Sequence, residues 1–407
     1  MASFERYIAQ RFLPKDKNSY SGPMVSIATY SIALGVLVMV LAVCILRGFQ
    51  GEIRQKVVGF GSHIVVSSYA MGNLNEETPI ANDRPEVERL RHTPGVKHVN
   101  FFANKGGMIK TEEQIQGIIF KGVDAGYDST FFASNLMEGR LVHFDNDAAA
   151  NEIIVSRTLA DMLHLGVGDK VRTYFWQGET YRARAFEVCG IYSTDLKDFD
   201  EHYIVGDLRQ VQKLNGWDSN QVAGYEVLVD DFKQLDRIKD AVLAQMNYDL
   251  TLTTVVEQNE ALFSWLNLLD SNIVLIITIM MLVCLVAIIS ALLIMIFEKT
   301  STIGLLKAMG STNQNIRRIF LIKSSGIIAK GIALGDIVAL ALGWVQQHFH
   351  LVKLDSESYM MDTVPVDMNV WIFVAISAGT LAVCLVALMM PTAYISHIQP
   401  AKTIKFD

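Results

Sequence analysis

The run Ile273–Phe297, IVLIITIMMLVCLVAIISALLIMIF, contains no charged residue and continues directly into Glu298–Gly310, EKTSTIGLLKAMG. The first part exceeds the ~18–20 apolar residues that cross a bilayer core. It is apolar all round, as a span must be and a one-sided surface helix is not. The second part reads as a short amphipathic helix, with Ile303, Leu306 and Met309 near one face and Gly310 as its stop. Ser311-Thr312-Asn313-Gln314 then fits a capping box, Ser311 and Gln314 taking the reciprocal roles. A second helix carrying Ile316, Arg317, Ile319 and Phe320 leads into the next apolar block. The knob between the two spans is either a helix resting on lipid or a docking element for a cytoplasmic partner.

Working outward, the chain has 407 residues, 51% hydrophobic and 19% charged, below the ~25% charge of a soluble average. Met24–Leu46 and Val370–Met390 are also free of charge. Ser324–Trp344 holds Lys330 and Asp336 but is otherwise apolar, and Gly331 and Gly335 sit at the small-xxx-small spacing that lets helices approach closely. These blocks make four spans. Lys330 is expected to snorkel to the cytoplasmic face, and Asp336 to find a partner on a neighbouring span; the alternative is a substrate-gating role. The first block is a signal anchor, because its apolar core is too long for a cleaved leader. Val43 before Cys44 is too large for a lipoprotein-processing box. Arg6, Arg11, Lys15 and Lys17 before span one, five Lys or Arg residues between spans two and three, and Lys402 and Lys405 at the end place both termini and that connection in the cytoplasm.

The organisation follows. Residues 1–23 carry an amphipathic helix on the cytoplasmic face, with Phe4, Ile8 and Phe12 on one side. The spans are 24–46, 273–297, 324–344 and 370–390; 298–323 is the knob region, 345–369 a short outer loop and 391–407 a tail. Residues 47–272 are domain-sized and lie outside the cytoplasm. Arg47–Gly61 and Asn259–Asn272 read as stalks. Between them, strand patterns at His63–Val66, Val96–Phe102, Ile115–Val123, Ile153–Val155 and Tyr225–Val229 alternate with helix patterns at Pro85–His92, Ser156–His164, Asp207–Leu214 and Phe232–Met246, an α+β class. Lys170–Trp176 and Tyr181–Tyr192 form a hairpin. No metal-ligand or nucleophile spacing occurs. Four scattered cysteines read as buried small hydrophobes. Asp195, Asp198, Asp200 and Glu201 read as a solvated acidic loop, with a cation or partner contact as the alternative. No basic stripe suits nucleic acid, and no G-x-x-x-x-G-K-[ST] run binds nucleotide phosphates.

One span, a large inserted domain and three further spans resemble the layout of the FtsX/MacB-type (type VII) ABC permeases. Within that layout the chain is similar to the lipoprotein-releasing LolC/LolE group. The resemblance covers the whole length. It rests on Phe4–Leu13, on Val25–Ala28 through Leu46–Phe49, on Glu298–Gly310 and on Pro391–Phe406 with its Gln399-Pro400-Ala401 element.

The resemblance implies a membrane subunit of the bacterial inner membrane, without enzymatic activity or cofactor of its own. It works as a homodimer or a LolC/LolE-like heterodimer with a LolD-like ATPase that holds ATP and Mg. ATPase closure moves the knob and the stalks, and this expels a lipoprotein toward a LolA-like periplasmic carrier. Glu298, Ile303, Gly304, Leu306, Lys307, Met309 and Gly310 would couple to the ATPase. A lipoprotein site must straddle the outer membrane boundary, where Val43, Leu46 and Phe49 form one apolar stripe and Leu262, Leu266, Leu269 and Ile273 another. Trp176, Gln177, Gly178 and Glu179 would dock the carrier, although this tip is shorter than the hook of one Lol permease. Thr302 also stands where the family often has Glu. The rival readings are a MacB-like exporter, which usually carries its ATPase on the same chain, and an FtsX-like regulator of cell-wall hydrolases, whose outer domain is usually smaller.

Overall fold

A computed structural model describes residues 21–69, 77–111, 114–145, 148–177, 180–355 and 359–392. The expected amphipathic helix at Phe4–Leu13, most of the 391–407 tail and the hairpin-tip residues Gly178 and Glu179 lie outside the described residues. The chain divides into two units, residues 1–51, 265–353 and 363–407, and residues 52–264 with 354–362.

The first unit holds the spans. Among the described residues, four helices are long and apolar enough to cross a membrane: Gly22–Gly61, Glu260–Glu298, Asn313–Phe349 and Val370–Thr392. The first runs unbroken over 41 residues from Ser21 to Gly61, and the second over 39. At 1.5 Å per residue each is about 60 Å long, twice a hydrocarbon core. Each expected stalk is therefore the same helix as its span. The third helix passes its expected end at Trp344 and stops at Phe349, with His350 in the left-handed region. Gln346 fixes the turn that follows: its side chain donates to the Val352 and Val364 carbonyls at 3.1 and 3.2 Å. The outer loop consequently starts about one turn later than residue 345. In the fourth helix Asn369 caps the start by accepting from the Trp371 N–H at 3.0 Å. Regular helix ends at Ala387, before the short turn Met389–Thr392.

Ile32, Val36, Met39, Cys284, Ile288 and Ile328 form the centre of the span core. Gly331 and Gly335 lie against the first span, as their spacing implies. A Cβ at Gly331 would stand 2.8 Å from the Ile32 side chain, and one at Gly335 would stand 2.6 Å from the Ala33 carbonyl. Only hydrogen fits there.

The second unit is an α+β domain. Its strands are β1 (Ile64–Ser68), β2 (Ile80–Ala81), β3 (Val96–Lys110), β4 (Ile115–Val123), β5 (Leu136–Gly139), β6 (Glu152–Ser156), β7 (Lys170–Gln177), β8 (Thr180–Tyr192), β9 (Tyr203–Asp207), β10 (Gln221–Val222), β11 (Gly224–Val229) and β12 (Leu250–Thr254). Most join one mixed sheet in the order β12-β1-β11-β3-β4-β9-β6-β8-β5, with β7 bridging β3 and β8, while β2 and β10 pair separately. The β4–β9 and β6–β8 pairs are parallel. The expected hairpin is β7–β8, in register from Lys170↔Glu187 to Gln177↔Thr180. Strand β3 is twice as long as its apolar run, because Lys105-Gly106-Gly107 breaks the alternation that marks a strand. Gly107 is needed there, since a Cβ would lie 2.7 Å from the Phe175 ring. Strands β5, β9 and β12 are short and contain Gly, Asp or Thr, so their pattern is weak. Ser156 caps its helix as expected, accepting from the Leu159 N–H at 3.0 Å.

The acidic run is solvated only in part: Asp198 is exposed, whereas Asp195 and Glu201 are half-buried. Asp200 is 1% exposed. It accepts from the Thr194 hydroxyl at 2.7 Å and from the Thr194 and Asp195 N–H groups at 3.0 and 3.1 Å, so the turn folds around it. Burial pushes its carboxyl above the ordinary range despite those donors. Asp195 pairs with Lys56 at 2.7 Å, and Lys56 also donates to the Met360 carbonyl at 3.1 Å. One ammonium thus ties the far end of the first long helix to the turn after β8 and to the segment 354–362.

Candidate coupling and substrate sites

The knob is the helix Thr300–Ala308, separated from the second long helix by Lys299 alone. Thr300 Oγ1 donates back to the Ile296 carbonyl at 3.0 Å, which stiffens the joint. Lys299 and Glu298 pair at 3.6 Å. At the far end Gly310 takes φ +92°, a conformation that favours glycine, and the Ser311 N–H reaches the Leu306 carbonyl at 3.0 Å. The next helix is capped by Thr312, not Ser311: the Thr312 hydroxyl accepts from the Asn315 N–H at 3.3 Å. The left-handed turn at Gly310 carries Ser311 back toward the knob, so Thr312 is the first residue placed to cap.

The faces of the knob differ from the expected docking stripe. Ile303 is fully buried, Gly304 is also buried, and Leu306 packs against the span core. Met309 is 76% exposed and Leu305 is 55% exposed. The outward apolar pair is therefore Leu305 and Met309. Ile303 and Leu306 anchor the knob under its own spans. Lys307 lies half-buried between the two faces.

The helices that carry the two expected stripes meet within one chain, through residues beside the stripes. The Phe49 and Trp265 rings contact edge to face at 5.7 Å. Gln50 Nε2 donates to the Leu266 carbonyl at 3.1 Å and to Asp270 Oδ1 at 3.0 Å. Gly48 lies under the outer loop, where a Cβ would stand 2.7 Å from the Pro365 carbonyl. The contact buries part of the surface expected to be free. Leu266 is 3% exposed, and Val43 packs on the span core. Leu46, Leu262, Leu269 and Ile273 are half-buried. The exposed apolar residues of this helix include Leu268 and Leu275, at 64% and 58%, followed down the helix by Ile279, Leu282 and Val286. Spacings of seven, four, three and four make these one stripe. A helical plot centred on solvent-facing positions finds it; a plot centred on Leu266 does not.

At the hairpin, Trp176 and Tyr181 are both about half exposed and meet edge to face at 4.7 Å. Gln177 ends β7 beside them. The tip presents a paired aromatic surface.

Residues 26–245 match the model of the MacB-like periplasmic core domain, and residues 274–400 match that of the FtsX-like permease C-terminal region. The chain is similar end to end to lipoprotein-releasing system transmembrane proteins. Identity is 21% to LolC of Xylella fastidiosa (98% of each chain), 22% to LolC of Neisseria meningitidis (all of each) and 23% to LolE of Haemophilus influenzae (96% of each). With four spanning helices among the described residues and the α+β domain inserted between the first two, the chain belongs to the MacB/FtsX-like ABC permeases and is similar to their LolC and LolE members.

Proposed function

We propose that this chain is the membrane subunit of an ABC transporter that extracts lipoproteins from the bacterial inner membrane and releases them to a periplasmic carrier. The observation that carries this reading is the end-to-end similarity to both LolC and LolE proteins. Both termini lie in the cytoplasm. A separate ATPase subunit holds ATP and Mg and docks on the knob through Leu305 and Met309. A second permease, identical or sister, completes the complex.

The geometry supports mechanical transmission. Only Lys299 separates the knob from the 39-residue helix Glu260–Glu298. A push on the knob therefore acts on a rod that continues past the membrane boundary. The lipoprotein's acyl chains would lie at the level of Phe49, Trp265 and Leu268, with its peptide outside the bilayer. The Trp176–Tyr181 tip would receive the carrier.

Reconstituting the chain with a LolD-like ATPase, in vesicles holding a fluorescent triacylated protein, tests the proposal. ATP-dependent transfer of that protein to a soluble acyl-chain acceptor is the expected result. ATP hydrolysis that leaves the lipidated protein in the vesicles, with the acceptor present, would overturn it.

A further inference from the structure

A cavity of about 470 Å³ opens in the inserted domain where its sheet meets the ends of the two long helices. Phe60 and Gly61 close the first helix, and Asn259 directly precedes the second. One wall is a satisfied ion pair. Lys121 on β4 and Glu226 on β11, each with a side chain only 4% exposed, meet at 2.7 Å. Lys121 also donates to the Phe60 carbonyl at 2.7 Å, which places a cation at the helix C-terminus, and Glu226 accepts from the Tyr127 hydroxyl at 3.1 Å.

Beside that pair, Asn104 on β3, opposite Lys121 in the β3–β4 register, is not satisfied. Glu77 takes both donors of Asn104: the backbone N–H at 2.9 Å and the side-chain Nδ2 at 3.0 Å. Asn104 Oδ1, shielded from solvent, is left with no hydrogen-bond donor among the described residues. Buried acceptors in native proteins normally have a donor, so an orphan needs a physical account. Two carboxylates and one ammonium also leave the lining with a net negative charge. Phe102, Phe199 and Tyr203 supply apolar and aromatic surface beside them.

We propose that this cavity binds a small organic ammonium ion. Its N–H groups face Asn104 Oδ1 and the Glu77 carboxylate, and its hydrocarbon part lies against the aromatic walls, whose faces attract cations. The volume falls within the range of small-molecule sites, ~300–1,000 Å³. A neutral alcohol would satisfy the orphan acceptor but not the charge, and an anion would be repelled. Because Gly61 and Asn259 line the cavity, occupancy stiffens the joints through which both long helices enter the domain. The assignment does not depend on what the permease transports.

The test uses the full chain in detergent micelles. Benzylammonium is titrated by calorimetry, with benzyl alcohol and benzoate as its neutral and anionic counterparts. Benzylammonium is expected to bind about tenfold or more tightly than either, and Glu77→Gln to weaken it by about tenfold, as loss of one charge-assisted hydrogen bond does. The amide oxygen introduced by that change still accepts from one of the two Asn104 donors, and circular dichroism checks that the variant is folded; partition into the micelle is common to both proteins and cancels. Amide exchange near Gly61 and Asn259 should slow with benzylammonium in the wild type and not in Glu77→Gln. Blocked lysine, Nα-acetyl-lysine methylamide, identifies the source: tighter binding than benzylammonium indicates a polypeptide side chain, weaker binding a free amine. Equal binding of the three benzyl compounds, no binding at all, or unchanged affinity in folded Glu77→Gln would overturn the site.

Discussion

Ser377 Oγ donates a 2.7 Å hydrogen bond to Asp336 Oδ2, joining the third and fourth spanning helices through an acidic side chain at membrane depth. The expected partner on a neighbouring span is thus a serine, and Asp336 Oδ1 has no partner among the described residues. Ser377→Ala should loosen this helix pair by about 0.5–1.5 kcal/mol, the net value of such a bond. Asp336→Asn keeps an acceptor and should keep the pair. Thermal survival of the folded chain in detergent measures both. If Asp336→Asn assembles normally yet abolishes lipoprotein transfer, while Ser377→Ala matches wild type, the residue acts in gating and not in packing.

The knob has two faces, and charge should act differently on each. Met309→Asp and Leu305→Asp alter exposed positions, so the chain should fold normally, lose co-purification of the ATPase and lose stimulated hydrolysis. Ile303→Asp puts a carboxylate where the side chain is fully buried. That change should cost several kcal/mol and lower the yield of folded permease before any effect on docking is read. Normal ATPase binding by folded Met309→Asp would remove the docking role of this face.

These two cases mark where the sequence is legible. The spans can be read because windows without charge have few other uses, and the Gly331–Gly335 stripe because close helix approach demands small residues. The knob is visible as a helix, but its rotation is not. At 100° per residue, Ile303 and Met309 stand about 120° apart, so a spacing of three repeated twice drifts off one face, whereas Leu305 and Met309 stay within about 40°. In the inserted domain the alternating strands are evident. Strands β5, β9 and β12 are not, since their residues gain strand character from neighbours across the sheet. Burial of Asp200 is hidden for a similar reason: the donors that satisfy it come from a turn whose shape local composition does not specify.

Lys121 and Glu226 form a buried pair, so removing one charge should cost more than removing both. Lys121→Met leaves the Glu226 carboxylate without its cation and should destabilise the domain by about 3–5 kcal/mol. The double change Lys121→Met with Glu226→Gln should recover much of that loss, because the neutral amide then in place of the carboxylate still accepts from Tyr127. Denaturant unfolding of the full chain, followed by the exposed and buried aromatic residues of the domain, gives the cycle. Equal losses in the single and double variants would show that the pair is not coupled.

His63 gives the domain a pH dependence. Burial, reinforced by the charge of Lys97, holds its imidazole pKa down at about 4, and Nδ1 accepts from the Val229 N–H at 3.2 Å. A depressed histidine pKa means that the unfolded chain binds the proton more tightly. Its contribution to stability is therefore complete above pH ~6.5 and declines as pH falls toward about 4. His63→Asn, which retains an acceptor without titrating, should flatten the fall between pH 7 and pH 5. The raised carboxyls of Asp124 and Asp200 act with the opposite sign at lower pH, so the difference between wild type and variant is the quantity to read. Parallel pH profiles for the two proteins would rule out His63 as the cause.

On the proposed function, the substrate position follows from what a lipoprotein is. Its acyl chains are still in the bilayer while its peptide is outside, so the site must straddle the interface, the depth at which tryptophan anchors helices. Trp265 meets Phe49 at 5.7 Å, and directly beside them the stripe from Leu268 to Val286 is exposed in the single chain. Leu266 is closed by the contact with the first helix. A photoreactive residue at Leu268 should therefore give a lipoprotein adduct that disappears on ATP addition, and one at Phe49 a weaker adduct of the same kind. The same group at Leu266 should label only its own chain. Leu282 lies about four turns along the same helix from Leu268, some ~21 Å at 1.5 Å per residue, well inside the hydrocarbon. If that part of the stripe packs on the second permease, a probe there should label the partner subunit and not the substrate. Adducts at Leu268 that contain only permease, with lipoprotein in excess, would assign the whole stripe to subunit pairing and leave the acyl chains to another surface.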